Sequence, residues 1–434
     1  MKSTIALLLV ALSCLVACPT VHAQEASPAP TAAPAPSIAP GADPATATRA
    51  WLDTVPADKR AKSDAYFEGG YWLILWNFLL TAAISIFLLC SGLSAWMRDF
   101  AERVTRFKAL QVALYSIAYL VLVTALTLPL TVYQGFFREH QYGLATQAFG
   151  PWFGEQMLAL LLALVALPLL LIVLYAVFRK APRSWWIWAT CVMVLFSLFV
   201  SFVFPVFVAP LFNKYTPLED RTLREPILAL ARANQIPVDK VFVVDASRQT
   251  TRVSANVAGF LGTTRIALND NLLKQCTLAE IREVMGHEMG HYVLNHGAKL
   301  TIYAGILILV GLGLTRFVFD AMIRKYGAAW GTRGIGDPAA LPLLVLIFTT
   351  YSFLITPLDN TAVRVTEAEA DIFGLNTSRE PDGFAKVALK LGTYRKLDPT
   401  PIEEFIFFDH PSGRARIRMA MDWKAANLPC GGTE

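Results

Sequence analysis

Six long runs of apolar residues set the pattern of this chain. They cover residues 71–97, 110–137, 157–178, 185–212, 300–322 and 341–358. Each run is near or above the roughly 20 residues that an α-helix needs to cross the hydrocarbon of a bilayer. Trp185, Trp186 and Trp188 at the head of the fourth run are typical of an aromatic belt at the membrane surface. The pattern therefore predicts six membrane-spanning helices.

The composition agrees with a membrane protein. Hydrophobic residues make up 55% of the chain, charged residues make up 16%, and the mean hydropathy is +0.47. A soluble domain typically carries about a quarter charged residues, so we expect the apolar surplus to face the lipid bilayer. The net charge of +5 is explained by basic loops beside the membrane and indicates no nucleic-acid partner.

Two polar stretches, residues 213–299 and 359–434, alternate with the apolar runs. The first stretch is predicted to hold a helix, a strand and a β-hairpin, over residues 218–234, 240–245 and 253–268. The hairpin places Asn256 on a strand close in sequence to residues 287–291. An exposed edge there would let a peptide add as an extra strand.

The most informative polar motif is HEMGH, residues 287–291. It lies in residues 277–295, which open with a capping-box spacing and continue as an amphipathic stripe, so we predict a helix there. His287 and His291 project from one face of that helix and can share one metal ion. Glu288 is left free to take a proton from water at that metal. A stripe meant only for core packing would not carry ionisable groups at its centre, because burying them unpaired is costly.

A catalytic zinc site uses three protein ligands and keeps one position for water. A metzincin would have a glycine and a histidine at set offsets downstream, but those offsets hold Leu294 and Gly297, which excludes that class. A carboxylate on a later helix is the other option, and Glu367 supplies it. Asp371, one turn further on the same face, can accept the N–H of a ligand histidine and fix its tautomer.

Two ionisable residues near these motifs are expected to have lesser roles. His296 lies one residue away from the metzincin offset, and we expect it to support the site or the fold. Glu369 points to another side of its helix than Glu367, so we expect a solvated surface acid. Neither is predicted to bind the metal.

These residues resemble a known family, the type I CAAX prenyl proteases, which are integral-membrane zinc metallopeptidases, and their bacterial relatives. The resemblance covers most of the chain and rests on several motifs. They are PLFNKYTPL at residues 210–218, SAN at 254–256, HEMGH followed by LNH at 287–296, EAEAD at 367–371, DHP at 409–411, and Arg416-Ile417.

The resemblance implies a role for each matching residue. One zinc ion per chain is expected to be held by His287, His291 and Glu367, with Glu288 as the general base. The residues expected to face the substrate or the oxyanion are Asn256, His410 and Arg416. A positive donor at the oxyanion in a dry site is worth several kcal/mol, so we assign His410 and Arg416 to that role.

One position departs from the family pattern. The family usually has a serine before the arginine of the third-ligand motif, and Val363 stands there in this chain. We expect this change to remove a supporting hydrogen bond and to leave the ligand unchanged. The expected fold class is mainly α, a polytopic transmembrane helical bundle with a gluzincin-type zinc metallopeptidase domain of catalytic helices and a small β-hairpin or sheet.

The first 50 residues are expected to lie apart from this fold. The short apolar run at residues 5–16 is typical of a secretory signal sequence within residues 1–23. Three fates stay open for it, namely cleavage after Ala23, lipidation of Cys18 after a lipobox-like sequence, and retention as an uncleaved anchor. Residues 24–50, rich in alanine and proline, are expected to form a disordered linker.

The rest of the chain is expected to divide into a membrane domain and a split peptidase domain. Residues 51–212 hold four spans and residues 300–358 hold two more. Between and after them, residues 213–299 and 359–434 form the two parts of the zinc peptidase domain.

Cysteine supplies no ligand set for zinc. Cys90 and Cys191 lie inside apolar runs, whereas Cys276 and Cys430 are far apart in sequence. Whether the last two pair is left open.

Orientation follows from the basic residues beside the spans. The loops after the first, third and fifth spans hold Arg98, Arg103, Arg106, Lys108, Arg179, Lys180, Arg183, Arg324, Lys325 and Arg333, whereas the loop after the second holds only Arg138. The positive-inside rule places the three basic loops in the cytoplasm. The zinc segments are then on the opposite side, the periplasmic face of a bacterial inner membrane.

The sequence therefore predicts a membrane-embedded zinc metalloendopeptidase that hydrolyses peptide bonds of membrane or envelope proteins. One alternative is CAAX-type processing of prenylated C-terminal peptides at a cytoplasmic site, which a miscounted span would allow. The other is a non-catalytic metal-binding membrane scaffold. Glu288 argues against the scaffold, because a structural zinc site needs no free base beside its ligand.

Overall fold

The computed structural model describes residues 35–36, 42–259 and 264–428. In chain order its helices are α1 (Pro44–Asp53), α2 (Ala57–Cys90), α3 (Leu93–Val104), α4 (Lys108–Gln141), α5 (Phe149–Lys180), α6 (Trp185–Phe212), α7 (Arg221–Ala233), α8 (Asp270–Gln275), α9 (Leu278–Val293), α10 (His296–Tyr326), α11 (Leu341–Ser378), α12 (Pro381–Leu391), α13 (Pro401–Phe407) and α14 (Gly413–Asn427). The strands are β1 (Tyr215–Pro217), β2 (Val241–Val244), β3 (Ala255–Ala258) and β4 (Arg265–Asn269). The predicted leader and Cys430 lie outside the described residues.

Six of these helices are long and apolar enough to cross a membrane, which confirms the number of spans predicted within the described residues. They are α2, α4, α5, α6, α10 and α11. Their core contains the buried side chains of Leu88, Tyr115, Leu171, Tyr175 and Trp185. Their outer faces carry large exposed apolar side chains, which a soluble monomer rarely gathers into one continuous surface. These outer faces therefore suit contact with lipid.

The first membrane helix ends earlier than the apolar pattern predicts. The pattern extends the first span to residue 97, but α2 ends at Cys90. Gly92 follows with a φ of 70°, a left-handed conformation that glycine adopts at little cost. Met97 and Ala101 then bury one face of α3. The predicted end is wrong, because the residues after Gly92 form a separate amphipathic helix.

Helix α1 begins inside the segment predicted as a disordered linker and continues to Asp53. The Asp43 side chain caps this helix by accepting a hydrogen bond from the backbone N–H of Thr46. Trp51 and Leu52 are buried in one apolar cluster with residues of α12 and α14. The prediction of disorder up to residue 50 is therefore wrong from Pro44 onward, because partners far along the chain bury this helix.

A four-stranded sheet, in the order β1-β2-β4-β3, lies next to α9. β2 and β4 are parallel, and the other two neighbouring pairs are antiparallel. The pairing of β3 with β4 confirms the predicted hairpin, and β2 and α7 confirm the strand and the helix before it. Ile266 and Leu268 of β4 belong to the same buried apolar cluster as Ile281 and Met285 of α9. The sheet thus supports the helix that carries the HEMGH motif and leaves β3 at one edge.

Helix α9 begins where the sequence predicts. Thr277 is its N-cap, and Thr277 and Glu280 form the predicted capping box. By contrast, α11 crosses the predicted boundary at residues 358 and 359 without a break. The sixth membrane helix therefore continues into the segment that carries Glu367, and one rigid element links the membrane to the second part of the site.

Candidate metal centre

Helices α9 and α11 cross at very short distance because glycines line both sides. A Cβ atom on Gly286 would lie 3.0 Å from the Cα atom of Gly374, and one on Gly374 would lie 2.9 Å from the backbone nitrogen of His287. A Cβ atom on Gly290 would lie 3.2 Å from the Cα atom of Ala370. Larger side chains would push the helices apart. The crossing therefore brings residues 287–291 against residues 367–371, as the predicted ligand set requires. The sequence analysis did not predict the glycine packing that allows it, although small residues recur at every fourth position.

Three ligand residues converge at this crossing. Nε2 of His287 lies 3.1 Å from Nε2 of His291 and 3.3 Å from Oε2 of Glu367. Oε1 of Glu367 lies 3.5 Å from Nε2 of His291. Ligand atoms that are each about 2.0–2.1 Å from a tetrahedral zinc ion are about 3.3 Å from one another. The three predicted ligands thus fit one zinc ion.

Asp371 fixes the orientation of His287. Its Oδ1 accepts a hydrogen bond from Nδ1 of His287 at 2.8 Å, which is the contact predicted from the sequence. Its Oδ2 accepts one from Nε of Arg416, also at 2.8 Å. Because Nδ1 of His287 donates to a buried carboxylate, Nε2 is left to face the metal position.

A second histidine holds His291. Nδ1 of His291 lies 2.9 Å from Nδ1 of His296, and Nε2 of His296 lies 3.0 Å from Oε2 of Glu369. Asn295, with a φ of 55°, makes the left-handed turn between α9 and α10 that brings His296 back against His291. The buried His296 therefore supports the site, as the sequence indicates.

Glu369 is less solitary than the sequence indicates. Its Oε2 also accepts a hydrogen bond from Nζ of Lys299 at 2.9 Å, and its side chain is 44% exposed. The expectation of a solvated surface acid is therefore wrong in one respect, because Glu369 is tied to the metal centre through His296. Its partners come from α10, so the pattern along its own helix could not reveal them.

The donor set requires a positive charge at its centre. Since both Nδ1 atoms are engaged, the Nε2 lone pairs of neutral His287 and His291 would meet across 3.1 Å beside a carboxylate. Burial alone lowers the pKa of His287, but the hydrogen bonds with Asp371 and Glu367 outweigh it and raise the pKa to about 10. A proton or a metal ion therefore stabilises this arrangement.

Glu288 adjoins the three ligand residues but is not one of them. Burial raises the pKa of its carboxyl group above the ordinary value. In the described ranges its side chain has no hydrogen-bond partner. A carboxylate with a raised pKa next to a metal position has the properties of a general base.

The structure places His410 beside the ligands. Its Nδ1 donates to Oδ1 of Asp409 at 2.7 Å, and its Nε2 lies 3.3 Å from Oε2 of Glu367. Burial, helped by the positive charge of Arg395, lowers the pKa of His410 to about 4. The neutral ring therefore presents a lone pair at Nε2, and the predicted donation to an oxyanion requires that this nitrogen first take up a proton.

Arg416 contacts the ligands from behind. Its side chain is buried, with Nε bonded to Asp371 and Nη2 lying 3.4 Å from Oε2 of Glu367. These two donors face carboxylates, whereas the sequence led us to expect an oxyanion. We therefore assign Arg416 to positioning the ligand carboxylate.

Asn256 lies on the edge strand β3 and is exposed. Ala255 and Val257 on either side of it pack into the core below α9, so the Asn256 side chain points to the other face of the sheet. In the described part of the chain it contacts none of the metal ligands through a hydrogen bond. Its predicted contact with substrate stays a prediction.

A further acid is buried behind the metal centre. Glu283 lies one helical turn before His287 and is 1% exposed. Its Oε2 accepts a hydrogen bond from the hydroxyl of Ser378, and its Oε1 has no hydrogen-bond partner in the described ranges. Burial raises the pKa of Glu283 to about 8, so the group is largely protonated at neutral pH. The spacing of four residues to His287 was the only signal in the sequence.

Comparison with known proteins agrees with this geometry. Residues 45–214 match the family described as CAAX prenyl protease N-terminal, five membrane helices, and residues 217–424 match peptidase family M48. The metalloprotease YhfN of Bacillus subtilis is 31% identical over 79% of this chain and 80% of that protein. The chain belongs to peptidase family M48.

The similarity extends to proteins of eukaryotes. CAAX prenyl protease 1 of Saccharomyces cerevisiae is 25% identical over 73% of this chain and 74% of that protein. The crystal structure of S. mikatae Ste24p has the same fold, with a TM-score of 0.70 and 22% identity over 85% of this chain and 90% of that one. This M48 member is therefore a membrane-embedded metallopeptidase with the expected helical fold.

Proposed function

We propose that this protein hydrolyses peptide bonds of membrane or envelope proteins with one zinc ion held by His287, His291 and Glu367. The observation that carries the proposal is the approach of the two Nε2 atoms and the Glu367 carboxylate to within 3.1–3.5 Å of one another, with Glu288 beside them. A scaffold would need the ligands alone. The adjacent carboxylate, which has no hydrogen-bond partner in the described ranges, favours hydrolysis.

The residues around the ligands divide the chemistry. A bound zinc ion would activate a water molecule and polarise the scissile carbonyl. Glu288 takes the proton of the attacking water and later delivers it to the leaving amine. His410 can take up a proton at Nε2 and then donate a hydrogen bond to the oxyanion, while Asp409 holds the ring in place. Arg416 and Asp371 keep the ligands in position.

The free edge of strand β3 favours a peptide as the substrate. It pairs on one side with β4, and its other edge has no strand beside it in the described residues. A substrate added in extended form would align its backbone along this edge, near the helix that carries Glu288. Asn256, exposed on this strand, is the side chain we assign to substrate contact.

The proposed site faces the periplasm. α10 runs from His296 at the metal centre to Tyr326, and α11 returns from Leu341 to Glu367. The basic loops therefore lie at the helix ends far from the ligands, as the positive-inside rule requires of a cytoplasmic face. The matching N-terminal family is described with five membrane helices, whereas the described part of residues 45–214 holds four candidate spans.

The identity of the substrates is tested by comparing envelope proteins in cells with the wild-type protein and with Glu288→Gln. Mass spectrometry of new protein N-termini should reveal cleavage products that occur only with the wild type. If no envelope or membrane protein differs between the two strains, the proposed substrate class is wrong.

A second function is favoured by the relatives, several of which are named CAAX prenyl proteases. Cleavage of prenylated C-terminal peptides would require the metal centre to face the cytoplasm. Alkaline phosphatase, which is active only outside the cytoplasm, can be fused after Glu434 and, separately, after Arg183. Signal from the first fusion alone supports the periplasmic site, and signal from the second alone supports the CAAX-type function.

A further inference from the structure

A charged cleft lies at the opposite end of the membrane helices from the metal centre. Glu367 lies 26 residues after Leu341 on α11, and at a rise of 1.5 Å per residue this separation is about 39 Å. The cleft has a volume of about 280 Å³. It is lined by Arg98, Glu102, Lys108, Gln111, Val112, Arg179, Arg333, Gly336, Asp337 and Pro338. Four cations thus share this cleft with two carboxylates.

One buried ion pair builds the floor of the cleft. Nη1 of Arg98 lies 2.6 Å from Oδ2 of Asp337, and both side chains are almost fully buried. The same carboxylate accepts the backbone N–H of Arg333 at 2.8 Å. These contacts hold α3 against the loop before α11, so the shape of the cleft is fixed by paired charges.

The cations at the rim are less completely paired. Arg333 bonds Glu102 at 2.9 Å and also contacts Asp99, while Lys108 lies 3.6 Å from the same Glu102. Arg179 has no hydrogen bond or ion pair with any described residue. The Cγ atom of Arg179 lies 3.1 Å from where a Cβ atom of Gly336 would be, so the absent side chain leaves room for the arginine to lie along the cleft. A ligand with negative charge would complete this set of contacts.

The first turn of α4 adds further donors. Lys108 is its first residue, the preceding Phe107 provides no side-chain cap, and no acidic residue stands in the first turn. The free backbone N–H groups and the dipole of this helix of more than 30 residues favour an anion there.

The surroundings indicate that the anion belongs to a lipid. Three aromatic side chains are exposed near this end of the membrane helices. Trp96 and Phe100 of α3, which do not line the cleft, are 56% and 47% exposed, and Phe107, the residue before Lys108, is 58% exposed. Aromatic side chains of this kind gather where lipid headgroups meet hydrocarbon. These aromatic residues indicate that the cleft lies at the level of the lipid headgroups, where a phospholipid phosphate is the nearest anion.

We propose that this cleft binds the phosphate of an anionic phospholipid in the adjacent leaflet. Arg179 and Lys108 contact the phosphate oxygens, and Phe107 lies against the acyl chains. The same phosphate chemistry could come from a soluble phosphate. The lipid and the free anion must therefore be compared in the test.

The experiment uses the full-length protein in detergent and measures binding of phosphatidylglycerol, phosphatidylethanolamine and inorganic phosphate by native mass spectrometry. The test variant is Lys108→Gln with Arg179→Gln. The control variant is Lys180→Gln with Arg183→Gln, which removes the same charge from the same face outside the cleft. Thermal unfolding and peptide hydrolysis, which do not depend on the cleft, show whether each variant is folded.

Phosphatidylglycerol should bind the wild type and the control with similar affinity and bind the test variant at least about tenfold more weakly, since hydrogen bonds to charged groups are lost. Phosphatidylethanolamine should bind weakly throughout. An equal loss of phosphatidylglycerol affinity in both variants would show that general surface charge causes the binding, and it would overturn the proposal. Binding of inorganic phosphate as tight as that of phosphatidylglycerol would overturn the assignment to a lipid.

Discussion

Nδ1 of His296 lies 2.9 Å from Nδ1 of His291, so one proposed metal ligand is oriented by a histidine while the other, His287, is oriented by the carboxylate of Asp371. When Nε2 of His291 binds a metal ion, Nδ1 of His291 carries the proton and donates a hydrogen bond to Nδ1 of His296. His296 must then carry its own proton on Nε2, where Glu369 accepts it at 3.0 Å. The tautomer of each ring is thereby determined.

His296→Ala should weaken zinc binding by about 10-fold to 100-fold, the usual effect of losing a partner behind a metal ligand. His296→Gln should restore much of the affinity, because its amide oxygen can accept from His291 and its amide nitrogen can donate to Glu369. Competition with a chelator measures the affinity directly. Equal affinity of the wild type and the alanine variant would show that His296 only fills space.

The assignment of the third ligand is tested by two acids on the same helix. Glu367→Ala should lose zinc and activity, because it removes a ligand atom. Glu369→Ala should keep zinc with a smaller loss of affinity, since it removes only the partner of His296. Metal analysis of the purified variants distinguishes the two. The reverse result would make Glu369 the ligand.

The close crossing of α9 and α11 predicts an effect of backbone packing. Gly374→Ala would place a methyl group 2.9 Å from the backbone nitrogen of His287, so we expect a loss of roughly 1–3 kcal/mol in the free energy of unfolding. Gly70→Ala is the control, because its Cβ atom would meet nothing within 4 Å. Thermal unfolding and zinc content should fall in Gly374→Ala and stay at the wild-type level in Gly70→Ala. Equal stability of the two variants would contradict the crossing geometry.

Glu283 predicts how stability depends on pH. Its pKa is raised to about 8 in the folded protein, so its contribution is fully present below the unfolded value and is lost as the pH rises through about 8. Glu283→Gln stays neutral and should avoid this loss. Between pH 5 and pH 9, the free energy of unfolding of the variant should rise relative to that of the wild type by on the order of 4 kcal/mol. If the melting temperatures of the wild type and the variant change with pH in the same way over that range, Glu283 is already ionised and the prediction is wrong.

Local patterns predicted the parts of this structure that depend on local rules. The six spans follow from runs of apolar residues, and α9 follows from the capping box at Thr277. The three predicted ligands, two of them at helical spacing on one helix, also come together as expected.

The features that the sequence did not reveal depend on contacts between distant segments. Helix α1 is ordered because Trp51 and Leu52, just after the predicted linker, are buried against the C-terminal helices, and no local pattern indicates that partner. Glu369 reaches the site only because α10 turns back at Asn295. The role expected for Arg416 changed because its donors are engaged by two buried carboxylates.

The central claim is that zinc and Glu288 together hydrolyse peptides, and Glu288→Gln tests it most directly. The purified variant should contain about one zinc ion per chain, as the wild type does, because Glu288 is not a ligand. Its hydrolysis of a casein substrate should fall by about 100-fold to 10,000-fold, the usual contribution of a general base. Hydrolysis at the wild-type rate by a zinc-loaded Glu288→Gln protein would contradict the account.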